Sequence, residues 1–146
     1  MAVRAYSMVM GILFIIVGAM GGVSGLLTHP DHGAGYPVIE HAFDGYLLGL
    51  FHVNFWHSLA HLMFGILGVF CTNSVGHARG YARFVAVAYA VLAVMGLIPG
   101  LNTVWGMMPL HGNDVWLHVA IAAVAAYFGF VRRPEARDDV AVVAGA

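Results

Sequence analysis

The stretch YSMVMGILFIIVGAMGGVSGLL, Tyr6 to Leu27, contains no charged residue. A helix rises 1.5 Å per residue, so about 20 such residues cross a hydrocarbon core of roughly 30 Å. The run exceeds the about 7–15 apolar residues of a secretory signal core, and no small-residue cleavage site ends it cleanly. It is therefore read as a retained span. Three similar runs follow: about Phe55 to Thr72, about Tyr81 to Ile98, and about Val115 to Val131. Pro99-Gly100 stops the third and Arg132-Arg133-Pro134 stops the fourth. In lipid, only helices and closed barrels satisfy the backbone, and these runs lack the alternation of barrel strands. The expected fold class is all-α, a polytopic membrane four-helix bundle.

Composition points the same way. The chain has 146 residues, 61% hydrophobic and 9% charged, with mean hydropathy +0.85. A soluble domain carries about 25% charged residues. So much apolar surface asks for a second apolar solvent, and the lipid bilayer is the expected partner. Residues 1–133 are expected to form one transmembrane domain, followed by a short disordered cytoplasmic tail, 134–146. A net charge of −1 suggests no nucleic-acid partner. The single Cys71 excludes an internal disulfide and a Cys-based zinc motif. It reads as a small apolar residue near a helix end.

Charge sets orientation. Arg4 precedes the first span, Arg79 and Arg83 lie between the second and third, and Arg132, Arg133 and Arg137 follow the fourth. The segments 28–54 and 99–114 hold no Lys or Arg. The positive-inside rule then places both termini in the cytoplasm.

An internal repeat is visible at an offset of 57. Gly49 falls on Gly106, His57 on Asp114, His61 on His118, and Phe70 on Tyr127. Leu50, Phe51 and Val53 fall on Met107, Met108 and Leu110. Each unit reads as span, outer loop, apolar lead-in, span. The expected arrangement is two tandem helical hairpins, a 2+2 parallel repeat about an axis along the membrane normal. The lead-ins Tyr46–Phe51 and Val104–Leu110 are too short to span. They are placed at the outer interface, with Tyr46, Trp56, Trp105 and Trp116 as interfacial aromatics. Asn54, and Asn113 or Asp114, are expected N-caps for the second and fourth spans.

The run Leu47-Leu48-Gly49-Leu50-Phe51-His52-Val53-Asn54, followed by His57, Leu59, His61 and Leu62, resembles a family signature. So does Gly106-Met107-Met108-Pro109-Leu110, followed by Asn113, Leu117 and His118. Together with Tyr81-Ala82-Arg83 and Gly96 to Gly100, they resemble the bacterial four-helix membrane proteins grouped as domain of unknown function 4383 (DUF4383). The likeness runs from about Tyr6 to Phe130. The chain departs from that pattern at Ser58, where the family often has Asn, and in its His-rich segment 28–45. The resemblance implies four spans and a bacterial inner membrane, and no activity.

Eight of the nine histidines fall on the outer half: His29, His32, His41, His52, His57, His61, His111 and His118. His77 lies on the other side. His57 and His61 are four apart and share a helix face. One reading makes His57, His61 and His118 structural, bonded to Asn54, Asn113, Asp114 or free carbonyls. A second is a metal site for Cu, Zn or Fe, built from His57, His61, His118 and Asp114, with Glu40 or Asp44 as further carboxylates. His57 is followed by Ser58-Leu59-Ala60, so no HExxH metalloprotease is indicated. A third is a b-type haem held by His61 and His118. His29, His32 and His41, with Asp31 and Glu40, read as a solvated loop or a separate metal-recruiting tract. A pH-sensing role is open as well.

Gly18/Gly22 and Gly21/Gly25 stand at GxxxG spacing. They form a groove either for internal packing or for other membrane subunits. No nucleophile–base set, phosphate loop or mid-depth acid is visible, which leans away from an enzyme. The leading expectation is a non-enzymatic accessory or structural membrane subunit. The alternative is a His-ligated metal- or haem-binding redox protein, with its site on the outer half of spans two and four. A small transporter or channel subunit is a third class.

Overall fold

The computed structural model describes residues 1–28 and 43–132. The expected tail 134–146 and the histidines His29, His32 and His41 lie outside these described residues. Four helices long and apolar enough to cross a membrane make up most of the structure: Ala2–Met20, Phe55–Asn73, Val75–Leu97 and Asn113–Val131. The first is helix α1, Ala2–Met20. Helix α2, Phe55–Phe70, continues into a 3-10 turn, Cys71–Asn73. Helix α3 is Val75–Leu97, and helix α4 is Asn113–Ala126 with a π-helical last turn, Tyr127–Val131.

Three boundaries differ from the hydropathy reading. Helix α1 begins at Ala2 and ends at Met20, with Gly21 as its C-cap. Gly21-Gly22 disfavours continuation, and Leu27–Thr28 then pairs as a strand rather than extending the helix. Helix α3 begins at Val75, because the Ser74 hydroxyl caps it by accepting from the His77 N–H at 3.0 Å. That first turn carries Gly76, His77 and Arg79, so hydropathy alone does not reveal it. Asn54 caps α2 as expected, accepting from the His57 N–H at 2.9 Å. In α4, however, neither Asn113 nor Asp114 is the cap. Gly112, at φ +67°, takes that position, and Asp114 sits in the first turn.

A small sheet accompanies the helices. Strands β1 (Leu27–Thr28), β2 (Gly45–Leu47) and β3 (Phe51–Val53) pair antiparallel in that order. The first lead-in is thus a β-hairpin, while the second is a series of turns without a strand. Leu48 and Gly49 have positive φ, and so do Trp105 and Gly106, the positions 57 further on.

Helices α1 and α2 approach backbone to backbone. A Cβ on Gly11 would stand 2.8 Å from the Val69 nitrogen, and one on Gly65 would stand 2.7 Å from the Gly11 carbonyl. The Ser7 hydroxyl donates to the Gly68 carbonyl at 2.7 Å across this seam. Gly18 and Gly21 both face Ser58 of α2, whereas Gly25 has nothing within 4 Å among the described residues. The main core lies between α1 and α3 with α4 against it, and includes Tyr6, Phe14, Tyr81, Val85, Tyr89 and Ala125. Phe14 and Tyr89 stack there, centroids 5.3 Å apart. Ile12, Ile16, Met63, Val87, Val91 and Val94 are exposed, as helices solvated by acyl chains would have them.

Arginines gather at the end opposite the sheet. Arg4 Nε donates to the Thr72 carbonyl at 2.6 Å, Arg79 to the Arg132 carbonyl at 3.0 Å, and Arg83 to the Gly129 carbonyl at 2.9 Å. Each reaches carbonyls near the C-terminal end of α2 or α4, where a cation complements the helix dipole.

Candidate functional site

The opposite end collects the polar side chains. His52, Asn54, His57, Ser58, His61, Asp114 and His118 are all buried there. Polar groups placed so deep in an apolar bundle must be partnered or they cost free energy.

Part of this set holds the chain together. Asn54 Nδ2 donates to the Met107 carbonyl at 2.7 Å, and Asn113 Nδ2 to the Leu50 carbonyl at 3.1 Å. Each asparagine therefore reaches from one lead-in to the other, and the two accepting residues are 57 apart. His52 Nε2 donates to Asp44 Oδ1 at 2.8 Å. In the neutral ring its Nδ1 then accepts from His111 Nε2 at 3.2 Å. Tyr46 stacks on His52, centroids 4.8 Å apart. His111 lies outside the helices. Its burial, and the neighbouring His52, lower its pKa from the ordinary histidine value.

The other part surrounds a pocket of about 350 Å³ between α2 and α3, floored by the second lead-in. His57, His61 and His118 line it, with Tyr89, Met108 and Leu110 among their companions. His57 and His61 sit on one face of α2, their rings stacked with centroids 4.9 Å apart. His61 Nδ1 donates to the His57 carbonyl at 3.0 Å, leaving Nε2 as its acceptor in the neutral ring. His118 approaches from α4, its centroid 6.2 Å from that of His57 and 5.0 Å from that of Tyr89. The His52 backbone links the two helices: its carbonyl meets the His57 ring, and its amide meets the Asp114 carboxylate.

The buried atoms at this end without a hydrogen-bond partner among the described residues are His57 Nδ1, His118 Nδ1 and Asp114 Oδ2, together with Ser58 Oγ and Trp56 Nε1. Asp114 and His118 are four apart on α4 and so share a face. The four residues expected as metal ligands are thus drawn to one end of the bundle. His57 and His118 come together as rings, and His61 is tied to its own helix. Among the described residues, no three His, Cys, Asp or Glu side chains stand in position to hold one metal ion together. Asp44, a further carboxylate in the sequence reading, is engaged by His52. Glu40 lies outside the described residues.

Sequence reasoning did not single out the His52–His111 pair, nor Tyr89 and Met108. His52 and His111 are 59 apart and do not share the repeat offset. The only available signal was that each lies in or beside a lead-in.

Among protein families, the domain of unknown function (DUF4383) has a model that matches residues 4–131. No curated protein and no solved structure matches the chain.

Proposed function

The chain belongs to the DUF4383 family, and for it we propose a non-enzymatic, metal-binding subunit of the bacterial cytoplasmic membrane. Its site is the outer half of α2 and α4, around His57 and His118. The observation that carries this reading is the pair of neighbouring buried imidazoles whose Nδ1 atoms, on His57 and His118, have no partner among the described residues, with Asp114 Oδ2 unpartnered one turn before His118. A buried donor or acceptor left unsatisfied costs about 1–3 kcal/mol. Imidazole nitrogens and a carboxylate are also the donor atoms that transition metals take. A metal suits the site better than haem, because the His57 and His61 rings lie on each other, 25° from parallel, where a porphyrin would need a clear slot.

The orientation belongs to the same proposal. Arg4, Arg79, Arg83 and Arg132 mark one end of the bundle and the histidine pocket the other. Cytoplasmic termini then put the pocket toward the outer face. The parallel repeat is also part of the proposal, supported by the matched positive φ at Leu48-Gly49 and Trp105-Gly106.

Protein purified from membranes in mild detergent tests the site by elemental analysis and absorption spectroscopy. A near-stoichiometric transition metal, lost in His57→Ala and in His118→Ala, is expected. A protein that is metal-free and takes up none on incubation with Cu, Zn or Fe overturns the metal site.

A purely structural, accessory role is the second reading. Asn54 and Asn113 favour it, since each bonds a backbone carbonyl across the two lead-ins and so closes that end of the bundle, and His61 is spent on a carbonyl of its own helix. Gly22 and Gly25 remain the part of the glycine pattern not facing α2, and they are the place to seek a neighbouring subunit.

A further inference from the structure

Two imidazoles stand near each other inside the bundle, each with an unused nitrogen. The His57 ring meets the His52 carbonyl, an acceptor, so one nitrogen donates there and the unpartnered Nδ1 keeps its lone pair. His118 Nδ1 is buried and unpartnered too. The ring centroids are 6.2 Å apart, with the planes 47° from parallel. Metal–imidazole bonds are about 2.0–2.1 Å long, so two rings sharing one metal have centroids roughly 5–6.5 Å apart. The pair falls within that window.

We propose that His57 and His118 hold one cuprous ion, with the Met108 thioether beside it and the Asp114 carboxylate as its counter-charge. This rests on the metal-binding reading above and names the metal.

Three features select a monovalent, soft ion. The first is the number of donors. Zinc asks for about four ligands, and no three His, Cys, Asp or Glu side chains among the described residues are set around one ion. Cuprous ion, with a filled d shell, is content with two nitrogens in near-linear array. The second is charge. The Born cost of an ion in a low dielectric scales with the square of its charge, so a divalent ion costs about four times as much as a monovalent one. One carboxylate, Asp114, one turn before His118, can neutralise a single positive charge. The third is softness. Met108 lines the same pocket as His57 and His118, and thioether sulfur favours cuprous ion over zinc. Ala60, Leu92 and Leu110 supply no ligands for a hard, hydrated cation, and His61, which shares the pocket, is tied through Nδ1 to the His57 carbonyl.

The test is an oxygen-free titration of the full chain in lipid nanodiscs with cuprous ion, against a chromophoric cuprous chelator. One copper per chain is expected, with two nitrogen neighbours in the X-ray absorption spectrum. Affinity should fall by at least about 100-fold in His118→Ala, beyond the loss typical of an outer-shell partner. Met108→Leu should weaken it less. Binding should survive replacement of His29, His32 and His41 together by Ala, and survive His77→Ala. Wild-type protein that binds no copper overturns the proposal, as does binding that persists without both His57 and His118 or that vanishes with the loop histidines. Preference for zinc or iron overturns the copper assignment alone, while failure to bind any metal overturns the metal-binding reading with it. Should His118→Ala not fold, the wild-type absorption spectrum still decides, because an oxygen-rich first shell contradicts a two-imidazole site.

Discussion

Single glycines decide how closely α1 and α2 approach. A methyl group on Gly65 would stand 2.7 Å from both the Gly11 carbonyl and the Ile15 nitrogen, backbone atoms that cannot swing aside. Gly65→Ala should therefore lower stability by about 1–3 kcal/mol, the usual range for overpacking. Gly80→Ala meets nothing within 4 Å among the described residues and should be neutral or stabilising by up to about 1 kcal/mol. Thermal unfolding of both variants in one detergent checks the contrast; equal midpoints would show that the seam is not tight. Ser7→Ala, which removes the bond to the Gly68 carbonyl, should cost about 0.6 kcal/mol, the average for such bonds between membrane helices. Residue types on one helix face were legible from spacing: His57 and His61, four apart, do share a face. Their meeting with His118 was only suggested by the repeat; the His57 ring centroid stands 6.2 Å from that of His118, and His61 lines the same pocket.

At the scale of elements, the lead-ins are braces. Asn54 is fully buried, caps α2 through its oxygen and holds the second lead-in through its nitrogen. Asn54→Ala removes the cap, worth about 1 kcal/mol, and also the part-buried bond to the Met107 carbonyl, about 0.5–1.5 kcal/mol more. A fall in the unfolding midpoint clearly larger than that of Asn113→Ala, whose bond is exposed, is the expected result. The His111–His52–Asp44 chain adds a pH dependence. Burial first, and His52 second, lower the His111 pKa in the folded state. Below about pH 6.5, the ordinary histidine value, the unfolded chain takes up that proton and the folded chain does not. Stability should thus fall as pH drops through that value, levelling off once the lowered folded pKa is passed. Melting curves between pH 8 and pH 5 should show this slope, reduced in His111→Asn; an unchanged slope in that variant would assign the effect to other groups. The β-hairpin at residues 45–53 was not legible, because a six-residue apolar run has no period that separates strand from turn. Pairing with Leu27–Thr28 decided it.

At the scale of the molecule, the two ends differ in chemistry. After Cys71→Ser, a cysteine introduced in the segment 28–45 should react with an impermeant thiol reagent from outside intact cells. One placed at Gly76 should react only after permeabilisation. The reverse pattern would invert the orientation and put the histidine pocket on the cytoplasmic side. The number of spans and, among the described residues, the gathering of arginine at one end with every histidine but His77 at the other were determined by the sequence itself. Both follow from local terms, the transfer of about 20 apolar residues into lipid and the sign of flanking charges, that need no knowledge of packing. What stands beside what was decided only by the tertiary structure. Gly11 and Gly65 meet, His52 meets His111, and His57 meets His118 because helix faces and lead-ins far apart in the chain are brought together. Such contacts depend on how α1 packs on α2 and α3 on α4, relations between elements that no single stretch of sequence contains.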